Sequence, residues 1–417
     1  MESKKNGNTG REESMYFAVD WTDRIDFDRL RKERTQRLNE QIKRHGLDAL
    51  LCFKAENLRY MTGYRPLWWP ISFLTRNAGL MAVDQEPILF PTSGCYERCK
   101  ETMTWMKEDH IRPLATMEDP GIVENEVKKK FLPAFEELRI TRGRIGIDHV
   151  SMLVLMKLKE VFPKAEFVNG DHCVLDAQVI KNPEEIKCMR LSSQIASYAM
   201  DRAIRSIRPG IRECEVLAEA MHTLYSFGME TPQCNLIVTS GDGTAPLRRF
   251  ASDRMINWGE LVFLDLGGCF NGYFSDFTRT VILGKPNELQ KRIYRAVYEM
   301  MMAIQETMKP GKTNAEVNEA ARKVVIDHGF KGHDYLGLLG HSIGVTGLTY
   351  PIVGEIAAVG SENVIELQPG MIFSMEPGIF IPKTPGGGGV RLEDTILITE
   401  TGNEVLTKTP YDENLLN

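Results

Sequence analysis

Residues 261–281 read LVFLDLGGCFNGYFSDFTRTV. They form two apolar runs of strand length joined by a glycine-bearing turn, and each run carries one aspartate. Asp265 closes the first strand and Asp276 opens the second. A hairpin would set the two carboxylates side by side, where they repel and one of them takes up a proton. Hard carboxylate oxygens shared between two divalent cations about 3.5–4 Å apart resolve that conflict. A fold for this chain therefore has to explain two acids buried in one hairpin.

Three further residues sit in similar settings. LGHSIG places His341 between glycines, where backbone can approach a site closely. FSMEPGIF puts Glu376 at the end of an apolar strand, directly before Pro-Gly. VRLEDTILIT puts Glu393 inside a strand otherwise suited to burial. Charged side chains in such runs are seldom buried without a partner. Each residue alone has a plainer reading: Asp265 as a turn residue, Asp276 as a cap for Thr278, His341 as structural, and Glu376 with Glu393 in a buried ion pair with Arg391 or Arg279. Four carboxylates and an imidazole, each at a strand edge or tight turn, are poorly explained that way together.

The rest of the chain bounds the setting. At 417 residues it exceeds one ordinary core, so two or three domains are expected. The net charge of −6 speaks against a general nucleic-acid binder. No apolar run approaches the ~20 residues that cross a bilayer, and the polar start, residues 1–14, reads as a disordered leader. Eight scattered cysteines without CxxC pairs suggest free thiols and a cytoplasmic setting.

From 15 to about 175, strands alternate with helices. A helix is expected over 26–46, strands at LDALLCF, LMAVD, EPILF and RIGID, and a helix at SMLVLMKLKEVF. This is an α/β domain. A second domain follows over 176–417. Pro183, Glu184 and Glu185 open its first helix; a second helix covers about 212–227. Strands at 235–240, 260–266 and 273–282 come next, then helices at about 286–308 and 313–328 and a strand-rich remainder. The run GGGG at 386–389 reads as a flexible loop.

The order Asp265, Asp276, His341 in GHSIG, Glu376 in MEPG and Glu393 in RLED resembles the pita-bread metallohydrolase family of creatinase, methionine aminopeptidase, aminopeptidase P and prolidase. KNPEEIKCMR resembles the opening helix of its catalytic domain. The resemblance spans about 175–410, and the preceding unit resembles the N-terminal domain of the creatinase, aminopeptidase P and prolidase branch. It implies an α/β N-terminal domain followed by an α+β pita-bread catalytic domain. It also implies two divalent metal ions (Mn, Co, Zn or Fe), with Asp276 and Glu393 bridging, Asp265 completing one metal, and His341 and Glu376 completing the other. Glu376 would also help take a proton from a metal-bound water, and Arg391 would pair with Asp265 behind the metals.

The chain departs from the pattern at two places. Peptidases of the family carry a histidine before the first aspartate and another about seven residues after the metal histidine. Here these positions are Leu247 and Leu348. Each histidine donates to substrate or to the developing oxyanion, and losing such a donor costs roughly 10²–10³ in rate. Arg248 and Arg249 stand beside Leu247, where they could bind a substrate carboxylate. Arg65, Trp68 and Trp69 fall where creatinase-like proteins reach a neighbour's active site, and Tyr350 could replace a lost donor. A buried dimer contact explains the tryptophans equally well, and a homodimer is expected either way. The function expected is a dinuclear metal-dependent hydrolase cleaving a C–N bond in a small, carboxylate-bearing substrate or dipeptide. The alternatives are a lyase of the kind that acts on dimethylsulfoniopropionate, a creatinase- or ectoine hydrolase-like enzyme, and a catalytically silent binding protein.

Overall fold

The computed structural model describes residues 24–65, 76–232, 236–335, 337–355 and 364–417; the leader read at 1–14 lies outside them. Asp26–Gln178 forms one compact unit, and a second is built from Val179–Asn417.

The first unit begins with the helix Phe27–Arg44. Asp26 caps it by accepting from the Arg29 amide at 2.8 Å, and Leu30, Leu38 and Ile42 form its buried stripe. Arg34 lies in the same stripe; its guanidinium donates to the Arg59 carbonyl at 2.8 Å. The strands are β1 (Ala49–Cys52), β2 (Ala78–Ala82), β3 (Ile88–Phe90), β4 (Arg144–Ile147) and β5 (Glu166–Asn169). They form one mixed sheet in the order β3-β2-β1-β4-β5, with β1, β4 and β5 parallel. Phe53, Phe90, Phe131, Phe135 and Phe162 pack one face of it. The helices over 120–137 that supply Phe131 and Phe135 have no counterpart in the sequence reading. Their charged run Val127–Phe131 breaks the α-helical period with a π-helical turn.

The second unit repeats one theme. The helices Pro183–Ser206 and Glu213–Ser226 pack on a sheet of β6 (Thr231–Pro232), β7 (Ile237–Ser240), β8 (Glu260–Phe270) and β9 (Tyr273–Leu283). The helices Glu288–Thr307 and Asn314–Asp327 pack on a second sheet. Its strands run in the order β11 (Thr349–Val353), β10 (Gly340–Ser342), β12 (Ile372–Met375), β15 (Asp394–Ile398) and β16 (Asn403–Val405). A short pair, β13 (Gly378–Phe380) and β14 (Gly389–Arg391), completes the unit. Two sheets, each covered by a pair of helices, are the pita-bread arrangement. Three of the four helices open with a Pro, Asn or Thr start and a capping box: Asn182 with Glu185, Asn287 with Gln290, and Thr313 with Glu316.

The tetraglycine run differs from the flexible loop expected. Gly389 donates its amide to Thr244 Oγ1 at 3.1 Å, and the Leu261 amide donates to the Gly386 carbonyl at 2.8 Å. A Cβ on Gly389 would stand 1.8 Å from the Thr244 carbonyl oxygen, and one on Gly387 would stand 2.6 Å from that of Gly241. The glycines are there so that two backbones can touch, which sequence alone cannot separate from looseness. Gly389→Ala is expected to lower stability by about 1–3 kcal/mol through overpacking, read as a lower melting midpoint. Gly402→Ala, whose added methyl would meet nothing within 4 Å, should leave the midpoint nearly unchanged.

Candidate metal centre

The site grows from the β8–β9 hairpin. Asn271 and Gly272 both have positive φ, 52° and 81°, as a two-residue type I′ turn requires. That turn pairs Phe270 with Tyr273 and so sets the whole register, with Asp276 opposite Gly267 and Asp265 opposite Thr278. Asp265 thus lies in the middle of a strand and does not end it, because so short a turn obliges β8 to run on to Phe270. Alternation along the strands puts Asp265, Asp276 and Thr278 on one face.

The second sheet brings the other three. His341 on β10 pairs with Ser374 on β12, which pairs with Thr395 on β15. Ser374 Oγ and Thr395 Oγ1 donate to the Asp276 carbonyl at 3.1 and 2.9 Å, tying this row to β9. Glu376 follows β12 directly. Glu393, expected inside a strand, stands instead in the break between β14 and β15, where the chain leaves one sheet for the other. Its amide donates to the Thr278 carbonyl at 3.1 Å, and its Oε2 accepts from Thr278 Oγ1 at 2.7 Å.

One ligand atom each from Asp276, His341 and Glu393 lie within 4.8 Å of one another. His341 Nε2 is 3.8 Å from Asp276 Oδ2 and 3.9 Å from Glu376 Oε1. These distances are too long for hydrogen bonds and suit ligands around a common ion. His341 Nδ1 sits 3.1 Å from the Ser342 carbonyl, so the ring proton belongs on Nδ1 and the Nε2 lone pair faces the carboxylates. Burial lowers the His341 pKa to about 4, the Ser342 carbonyl works against that shift, and the Arg391 charge adds to it.

Arg391 binds the acids together. Its Nη1 donates to Glu376 Oε2 at 2.8 Å, its Nη2 pairs with Asp265 and lies 3.6 Å from Glu393 Oε2, and its Nε donates to Thr278 Oγ1 at 3.0 Å. Burial acts to discharge this guanidinium, but the four surrounding carboxylates overcome it and keep it charged. Burial likewise raises Glu376; Arg391 and Arg249 oppose that, while Asp265 reinforces it. Burial pushes the Glu393 carboxyl well above the usual carboxylate range, against the pull of Arg391. One arginine does not neutralise four acids, so the cluster is short of positive charge. Hard oxygen donors plus one imidazole are a donor set that suits divalent cations.

A model of metallopeptidase family M24 matches residues 187–400, and one of the creatinase/prolidase N-terminal domain matches 34–179. The chain belongs to metallopeptidase family M24. It is 34% identical over 380 residues to an Xaa-Pro dipeptidase of Pyrococcus furiosus, covering 91% of this chain and 98% of that protein. The prolidase structure from Pyrococcus horikoshii superposes with a TM-score of 0.75 at 30% identity, covering 91% of this chain and 99% of the other. An Xaa-Pro dipeptidase from Bacillus anthracis gives a TM-score of 0.75 at 27% identity, over 91% and 98%. As an M24 member the protein is a metal-dependent hydrolase, and its family works through divalent metal. No described helix is long and apolar enough to cross a membrane.

The candidates outside the five expected ligands divide. Arg248 pairs through Nη2 with Glu213, which is fully buried. Arg249 is exposed, and no hydrogen bond or ion pair engages it among the described residues; its charge reaches Glu376. Leu348 is half exposed beside Thr349, which pairs with Ser342 next to His341. Tyr350, two places on, is half-buried in β11. Arg65 lies in the other unit, and Trp68 and Trp69 lie outside the described residues. The sequence reading named Thr278 only as a residue that Asp276 could cap and Arg279 only as a partner for Glu376 and Glu393. In the structure Thr278 donates to Glu393 Oε2. Arg279 pairs with Asp394, a residue that reading did not single out, at 2.7 Å, while its Nη1 donates to the Glu393 carbonyl at 2.7 Å.

The raised Glu376 and Glu393 carboxyls give a pH dependence. Both hold protons to higher pH than free carboxylates, and a metal takes them only deprotonated. Metal affinity should therefore fall as pH is lowered, and loading at mildly acidic pH should release protons. His341, already neutral above about pH 4, contributes none there. Calorimetric titration in buffers of different ionisation enthalpy measures this release; loading that releases no protons would contradict the assignment.

Proposed function

We propose that this M24 enzyme hydrolyses a C–N bond in a small substrate of dipeptide size that carries a free carboxylate. The metal ligands would be Asp265, Asp276, His341, Glu376 and Glu393, with Asp276 and Glu393 shared between two ions. The observation that carries this reading is the convergence of Asp276, His341 and Glu393 within 4.8 Å, with Arg391 joining Asp265 to Glu376. Two divalent ions so held would lower the pKa of a bound water towards neutrality and polarise the scissile carbonyl. Glu376, whose carboxyl burial biases towards holding a proton, would take one from the nucleophile and pass it to the leaving nitrogen. Arg391 keeps Glu376 and Asp265 oriented. Arg249 lies within electrostatic reach of Glu376 and is not otherwise engaged among the described residues. A two-pronged guanidinium contact there would anchor the substrate's carboxylate beside the metals.

The Xaa-Pro dipeptidase named for the Pyrococcus relative acts on a compound of this class. Leu247 and Leu348 can donate no hydrogen bond to such a substrate or to its tetrahedral oxyanion. The enzyme should therefore turn over Xaa-Pro dipeptides slowly, with each missing donor costing on the order of 10²–10³ in rate.

The test compares alanyl-proline with its C-terminal amide, using enzyme loaded with Mn²⁺. The parent should favour the acid, and Arg249→Ala should raise KM for the acid by at least about tenfold, the ~1.4 kcal/mol expected of a hydrogen bond to a charged group. The amide should be almost unaffected. Equal turnover of acid and amide by the parent, with Arg249→Ala harmless, would overturn the carboxylate assignment.

A further inference from the structure

A single carboxylate outside the metal centre organises the segment that carries Leu247, Arg248 and Arg249. Glu213 is the first residue of the helix Glu213–Ser226 and is fully buried. Its Oε1 accepts from the Ser240 amide and Ser240 Oγ, both at 2.8 Å. Its Oε2 accepts from the Ser252 amide at 3.1 Å, from Ser252 Oγ at 2.7 Å and from Arg248 Nη2. The two serines stand at the two ends of the segment 240–252, so one side chain closes it like a clasp, with five donors on two oxygens.

Arg248 is drawn inward to that clasp. Its amide donates to the Gly243 carbonyl at 2.8 Å, and its guanidinium lies over Gly243, where a Cβ would stand 3.1 Å from Nη2 and 2.3 Å from Thr239 Oγ1. With Arg248 turned in, its neighbour Arg249 is left exposed. The far side of the segment is fixed as well. Thr244 Oγ1 accepts from the Gly389 amide at 3.1 Å, and Gly389 opens β14, the strand that ends in Arg391. The segment is thus held at its base by Glu213 and on its flank by the strand that leads to the metal ligands.

We infer that Glu213 is a positioning residue for substrate binding: through Arg248 and the two serines it sets where Arg249 stands relative to the metal centre. This rests on the reading of Arg249 given above. Its function is orientation. An exposed arginine on an unanchored loop would lose much of its affinity to the ordering of side chain and backbone, whereas a clasped loop has met that cost on folding.

The experiment is a double-mutant cycle between Glu213 and Arg249, with Mn²⁺-loaded enzyme, alanyl-proline and its C-terminal amide. Glu213→Gln keeps the shape of the side chain and removes the charge that holds Arg248. It should raise KM for the acid by about tenfold while kcat, metal content and the KM for the amide stay close to the parent's. In an Arg249→Ala background it should add almost nothing. Arg248→Met, which leaves Glu213 its four other donors, should reproduce the acid-specific rise and serves if Glu213→Gln does not fold. Equal losses on acid and amide, or a full loss persisting in the Arg249→Ala background, would make Glu213 a structural residue only and overturn the inference while leaving the Arg249 reading intact. An Arg249→Ala variant with unaltered acid preference, or a parent that does not hydrolyse the acid, would overturn both together.

Discussion

The buried fork of Arg391 is the interaction on which the second unit depends. Four acids converge where two sheets meet, and without compensation that convergence would drive the sheets apart or leave the acids protonated. Arg391 meets Asp265 from one sheet's hairpin and Glu376 from the other sheet's strand, so the same contacts that offset charge also pin the two halves in register. Thr278 contributes on both sides, accepting from Arg391 Nε and donating to Glu393. The compensation is partial, and partial compensation is what a cation site requires: an acid cluster fully satisfied by arginines would have no affinity left for a metal.

A second buried arginine supports the first. Arg279 pairs with Asp394, is faced by the Tyr411 ring at 4.7 Å, and donates to the carbonyls of Thr278, Glu393 and Thr409. It thereby fixes the backbone at the break between β14 and β15, where Glu393 would otherwise sit on an unsupported turn. Arg391 and Arg279 divide the work: one holds side chains of the cluster, the other holds the main chain that delivers them.

Much of this was legible in the sequence, for a physical reason. Acids and a histidine inside apolar strand runs are rare without a partner, so Asp265, Asp276, His341, Glu376 and Glu393 stood out; the register set by the Asn271-Gly272 turn, which puts Asp265 in mid-strand, did not. The start of the helix Pro183–Ser206 was visible through Pro183, Glu184 and Glu185, whereas the caps Asn182, Asn287 and Thr313 are seen only in the structure. Contacts between distant segments were not. Arg248 and Arg249 are adjacent and chemically identical, and the buried Glu213, thirty-five positions from Arg248 in the chain, gives them different surroundings. GGGG reads as looseness until Gly389 is seen against the Thr244 carbonyl. Glu393 looked like a strand residue because the apolar pattern runs straight through the point where the chain changes sheets.

We propose that these five side chains hold two divalent ions, with Asp276 and Glu393 common to both. Metal content per chain tests it most directly, measured by elemental analysis after equilibration with Mn²⁺ and removal of the unbound metal. The account predicts two ions per chain in the parent and almost none in Asp276→Ala or Glu393→Ala, since each removes a ligand common to both sites, with the folded content unchanged by circular dichroism. Full metal content in both variants, or a correctly folded parent that binds none, would contradict it.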